Sequence, residues 1–185
     1  MLGRTKLIYL VGVDHVFQHD GNLTRGPKKG IPVYRDEFRD FIVDVGRTYG
    51  VDLITEEWCA PAHNQLLNAS TTMGKLAAEK LGVTHCYIEP CGEDRERLGL
   101  PTTRYDDLSE SELARIYEVK ETYWLKELKR LNRTNPLHIC GAGHVDRFSA
   151  LLKGQGFQNT VIDACWGAGY LSNSHNYNQD GERAT

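Results

Sequence analysis

Two histidines stand three residues after a glycine, where a buried-looking apolar run gives way to polar sequence: Gly12-Val13-Asp14-His15 and Gly141-Ala142-Gly143-His144. Neutral imidazole is a general base near pH 7 and a common ligand for zinc and other transition metals. Carboxylates recur in matching places, Glu56 and Glu57 after a second apolar run and Glu89 after a third. Two imidazoles and one carboxylate leave open positions on a metal ion for water and substrate, and such an ion activates its bound water for hydrolysis. The expected centre is therefore a divalent ion (manganese, cobalt or zinc) on His15, His144 and one of Glu56 and Glu57, with Asp14 or Glu89 assisting proton transfer.

The Gly-x-x-His spacing alone carries little information. With 7 His and 18 Gly in 185 residues, chance supplies about 0.7 such pairs. A third copy, Gly82 to His85, falls at the start of a strand and is read as accidental. Placement after strands distinguishes the other two. Several further residues have functional readings beside plainer ones. His19 and His63 read first as loop residues, and Cys91 as a ligand or nucleophile without a clear local base. Glu93-Asp94-Arg95-Glu96-Arg97 reads as a solvated turn of internal charge pairs, from which Arg95 can alternatively meet an anionic substrate or a developing oxyanion. His138, inside an apolar run, reads as a satisfied core histidine.

The elements that must carry these groups follow from periodicity. Residues 6–13 are almost continuously apolar and branched, as a strand covered on both faces should be. Further strands are expected at 51–55, 84–88, 137–140 and 159–164, and helices at 35–49, about 62–80, 109–131 and 146–153. Gly50 and Gly82 are natural helix stops, and Ser109-Glu110-Ser111-Glu112 is a capping box. Strands alternating with helices predict an α/β fold: one domain over residues 1–172, with a doubly wound, mostly parallel sheet of about five strands and flanking helices. Open parallel sheets bind ligands beyond the carboxyl ends of their strands, which is where the histidines and carboxylates fall. The loop at 19–32, with its glycines and Lys28-Lys29, is a candidate lid, and residues 173–185 read as a disordered tail.

Composition narrows the partners. A net charge of −3 provides no basic field for nucleic acid or an anionic membrane. No apolar run reaches the length of a membrane span, and the apolar start is broken by Asp14-His15 with no small-residue cleavage site. Five cysteines, an odd number without a CxxC spacing, read as free thiols in a reducing cytoplasm. A small-molecule or peptide substrate remains, and the aromatic residues of the long helix leave room for a homodimer.

The segment ICGAGHVDRFSALLKGQGF at 139–157, together with VGVDH at 11–15 and the acidic pair Glu56-Glu57, resembles the TraB/Tiki group of the erythromycin esterase/ChaN-like superfamily. That resemblance implies an α/β core. It admits three functions, since Tiki proteins are metal-dependent proteases, erythromycin esterases are hydrolases and ChaN binds haem. The leading expectation is a metal-dependent hydrolase. The rivals are a non-catalytic module for haem, metal or a small ligand, and a metal-free hydrolase with His15 as general base.

Overall fold

The computed structural model describes residues 6–21, 34–60, 68–101, 105 and 108–168. The expected tail, His63 and most of the candidate lid lie outside the described residues. Five strands, β1 (Leu7–Val13), β2 (Leu53–Glu56), β3 (Thr84–Tyr87), β4 (Pro136–Gly141) and β5 (Gln158–Trp166), form one sheet in the order β3-β2-β4-β1-β5. Every pairing is parallel. The helices are α1 (Arg35–Tyr49), α2 (Met73–Leu81), the short α3 (Glu93–Arg97), α4 (Glu110–Leu131) and α5 (Val145–Gly154).

Side-chain alternation divides the core into two layers. Val11, Ile54 and Ile139 face Phe38 and Ile42 of α1 and Ala77 of α2, whereas Ile8, Leu10 and Cys140 face Trp124 and Leu128 of α4 and Phe148 and Leu152 of α5. Helices therefore cover both faces, and the central strands read as continuous apolar runs for that reason. The chain leaves β1 for α1 on one face and leaves the adjacent β4 for α5 on the other. Connections diverging from neighbouring strands open a crevice at their carboxyl ends.

The helix ends follow local chemistry. Gly50 and Gly82 close α1 and α2 in the left-handed conformation, with φ of 60° and 67°, where a Cβ would be strained. Ser109 and Glu112 form the expected capping box on α4. Of the helix expected at about 62–80, residues 62–67 lie outside the described residues, and 68–72 are not helical. Thr72, extended and accepting from Lys75 N, caps α2, so that helix opens at Met73. The competing pattern was apolar spacing, which does not mark a start without a cap. Among the described residues, no helix is long and apolar enough to cross a membrane.

Candidate functional site

Glu57 immediately follows β2, and its backbone N–H donates to Ile139 O (2.9 Å), which keeps it in line with the sheet. Successive residues of an extended chain point to opposite faces, so Glu56 and Glu57 part company. Glu57 turns toward α4, where Lys120 Nζ donates to its Oε1. Gly141 N donates to its Oε2 at 2.7 Å. His15 Nε2 lies 3.9 Å from Oε2 and His144 Nε2 3.5 Å from Oε1. Both sequence-selected imidazoles thus reach one carboxylate, across the crevice between β1 and β4.

Each ring is held from behind. His15 Nδ1 lies 2.8 Å from Gln18 Oε1, and His144 Nδ1 donates to Glu121 Oε1 at 2.9 Å. His144 is buried between Tyr117 and Trp124, with ring centroids 4.2 and 4.8 Å away. His15 is different: its side chain is 51% exposed, against 5% for Glu57. It is the member of the group that is open to solvent.

The two motif glycines provide room rather than a sharp turn. Neither Gly12 nor Gly141 has a positive φ. A Cβ on Gly141 would stand 2.8 Å from His15 Nε2, and one on Gly12 would stand 2.5 Å from Val145 Cγ2. Glycine at 141 thus makes the space in which the His15 ring sits.

Burial pushes the Glu57 carboxyl up, but Lys120, His15 and His144 together hold it well below the usual carboxylate range. Lys120 bridges Glu57 and Glu89, reaching Glu89 Oε1 at 3.2 Å. Burial lowers its affinity for a proton, and the two carboxylates more than reverse that, raising it above the ordinary lysine value. Glu89 also accepts from Trp124 Nε1 (3.1 Å) and faces Arg95 at 3.5 Å. Burial still raises its pKa, with Lys120 opposing and Glu57 adding.

The other sequence candidates are placed elsewhere or differently. Glu56 is fully buried on the opposite face, accepting from Gln18 Nε2 (3.0 Å) and from Thr72 Oγ1, so it does not join the histidines. Asp14 accepts from Val16 N (3.1 Å) and caps the turn at His15–Phe17. His19 is buried, its ring tilted against Trp58 and its Nδ1 accepting from Gly21 N, and its backbone bridges to Thr72. Arg95 donates to Pro101 O and Tyr105 Oη and pairs with Glu89, so its guanidinium is engaged internally.

One expectation is overturned more sharply. Cys91 is bonded to Cys59, leaving Cys86, Cys140 and Cys165 as the free cysteines. The two residues follow adjacent strands to the same edge, with Cα atoms 5.6 Å apart, a juxtaposition that spacing along the chain does not reveal. With that pair oxidised, the cysteine count no longer argues for a reducing compartment. His85 lies at the start of a strand as expected and does not join His15 and His144, but it is engaged, since its Nε2 lies 2.7 Å from Glu56 Oε1. β3 has only four residues, and its register sets His85 diagonally beside Glu56.

His138 is a core histidine as expected, paired through Nδ1 with Thr55 Oγ1 at 3.1 Å, but its Nε2 has no partner among the described residues. Sequence reasoning missed Lys120, Glu121 and Gln18. The first two interrupt the buried stripe of α4, Ile116-Lys120-Glu121-Trp124-Leu125-Leu128. Charges at core-facing helical positions were a usable signal.

Among the described residues, no group of three or more His, Cys, Asp or Glu side chains is arranged to hold a metal ion. Set against known protein families, curated proteins and solved structures, the chain matches none.

Proposed function

We propose that this protein is a hydrolase that works by general base catalysis at His15, without a metal ion, on an ester or amide carbonyl of a small molecule or peptide. One observation carries the reading: His15 alone of the cluster is open to solvent, and its Nε2 faces the ionised Glu57 at 3.9 Å. His15 Nε2 takes a proton from water as the oxygen bonds to the carbonyl carbon. Glu57 stabilises the imidazolium so formed. The bond to the leaving group then breaks, and His15 returns the proton to the departing atom. Lys120 keeps Glu57 ionised throughout, and His144, fixed by Glu121, presents a second imidazole to the same carboxylate.

The metal-centred alternative has less support. Two Nε2 atoms and one carboxylate do converge, and the groups behind the rings are of the kind that orient metal ligands. Yet Glu57 Oε1 already takes the Lys120 ammonium, and a divalent ion on that carboxylate would sit against a buried cation. The set as arranged does not fit a divalent ion.

The test uses the full chain, exhaustively chelated, against p-nitrophenyl esters and a peptide library. Turnover that survives chelation and disappears in His15→Ala is expected. Turnover that needs added Mn, Co or Zn would restore the metal centre. Retention of a ligand or haem with no turnover of any substrate would mark a binding module and end the hydrolase reading.

A further inference from the structure

Gln18 closes the short helical turn that carries His15, and its side chain is fully buried. Both ends of its amide are engaged. Nε2 donates to Glu56 Oε2 at 3.0 Å and approaches the Glu57 backbone carbonyl at 3.4 Å. A carboxylate and a carbonyl accept, so the amide nitrogen belongs on that side and Oε1 on the other. Oε1 is the atom that meets His15 Nδ1, at 2.8 Å. An amide oxygen has no proton to give, so the hydrogen lies on Nδ1. The neutral ring then carries its lone pair on Nε2, the atom that faces Glu57.

Glu56 is built in firmly. It also accepts from Thr72 Oγ1 and meets His85 Nε2 at 2.7 Å. Its carboxyl occupies space that a Cβ on Gly74 would enter, 2.5 Å from Cδ. Among the described residues it makes no hydrogen bond or ion pair with His15 or His144, and Gln18 links it to His15.

We propose that Gln18 is a positioning residue for His15 and that Glu56 sets the orientation of Gln18, so that the chain Glu56–Gln18–His15 fixes the imidazole proton on Nδ1 and leaves Nε2 as the base. The consequence for catalysis rests on His15 being the general base; the placement of the proton does not. An unconstrained neutral histidine prefers its proton on Nε2, which would put a donor where the mechanism needs an acceptor.

Nitrogen NMR of the labelled full-length protein, at a pH where imidazoles are neutral, reads the tautomer directly. The His15 signal is identified by its loss in His15→Ala. The wild-type ring is expected as the Nδ1–H form. Gln18→Met, close in shape but unable to hydrogen-bond, should move His15 toward the Nε2–H form. Glu56→Gln should give a mixture, because a neutral amide can accept or donate and no longer dictates the Gln18 flip. In hydrolysis, Gln18→Met should lose about 10- to 100-fold in kcat with KM little changed, as for outer residues that orient functional imidazoles. A wild-type ring protonated on Nε2, or a Gln18→Met ring indistinguishable from wild type, overturns the proposal. The wild-type spectrum decides even where a variant does not fold. A tautomer shift in Gln18→Met, with no turnover by any form, would sink the hydrolase reading and leave the proton placement standing.

Discussion

At the scale of single residues, the site depends on one buried cation. Lys120 is 4% exposed and spans Glu57 and Glu89. Removing one partner of a buried ion pair leaves an uncompensated charge, at about 3–5 kcal/mol. Lys120→Met should lose stability of that order in urea unfolding and should lose hydrolysis with it; a change below about 1 kcal/mol would show that the pair contributes no more than an exposed one. Gly141→Ala separates function from stability. The backbone there, φ −58° and ψ 140°, accepts alanine, yet the new Cβ enters the space of the His15 ring. A misplacement of about 1 Å can lower a rate on the order of 100-fold. The expected result is such a loss in kcat with an unfolding midpoint close to wild type; full activity would place His15 outside the reaction. The histidines and the acidic pair Glu56-Glu57 were legible because their types are informative at strand ends, but which of the pair faces the histidines was not. Gln18 was not, because an amide carries no reactive signature and its role exists only through the flip that Glu56 imposes.

At the scale of elements, α4 is both a structural helix and the carrier of Lys120 and Glu121. Its capping box satisfies two first-turn N–H groups, Glu112 N by Ser109 Oγ and Ser109 N by Glu112 Oε2. Ser109→Ala should cost about 1 kcal/mol, read as a lower thermal midpoint, without altering the His15 signal in the nitrogen spectrum. The loops after β2 and β3 are tied by Cys59–Cys91, which closes a separation of 32 residues and so should contribute roughly 2–4 kcal/mol. Cys59→Ser with Cys91→Ser is expected to lose that amount in denaturant unfolding; equal stability of the double variant and the untreated wild type would mean that the bond does not restrain the unfolded chain. The alternation of strands and helices was readable throughout, since periods of 2 and 3.6 survive without knowledge of neighbours. The strand order was not. β4 inserts between β1 and β2, and only that insertion brings the ends of strands 1, 2 and 4 side by side. The disulfide and the His85–Glu56 pair were hidden for the same reason, since both join adjacent strands that pattern alone does not pair.

At the scale of the whole molecule, the buried ionisable groups predict an unfolding free energy with a two-step acid limb. His138 lies in the core between Trp124 and Phe148. Burial lowers its pKa, with His144 and Lys120 adding and Glu57 opposing, from 6.5 to about 3. The unfolded chain therefore takes up a proton as pH falls through 6.5 while the folded chain does not. Stability is full above that pH and erodes down to about pH 3, by roughly 5 kcal/mol for a shift of this size. Glu57 is likewise depressed in the fold, so its contribution is complete above pH 4.5 and begins to fall only below it. Glu89 runs the other way: its raised pKa means that the fold takes up a proton there before the unfolded chain does, which offsets part of the His138 loss between the folded pKa of Glu89 and pH 4.5. The first step, between pH 6.5 and 4.5, thus belongs chiefly to His138. Replacing it tests this without exposing a new polar group, because Thr55 Oγ1 keeps Leu137 O as an acceptor at 3.3 Å. In urea titrations across pH 3 to 8, wild type should lose stability from pH 6.5 downward. His138→Leu should lose nothing down to near pH 4.5, holding level or rising slightly as Glu89 takes up its proton, and should fall only below that, where Glu57 is protonated in the unfolded chain but not in the fold. Parallel profiles for the two proteins would show that the core imidazole is protonated in the fold, and that its orphaned Nε2 is satisfied by something other than burial in a neutral state.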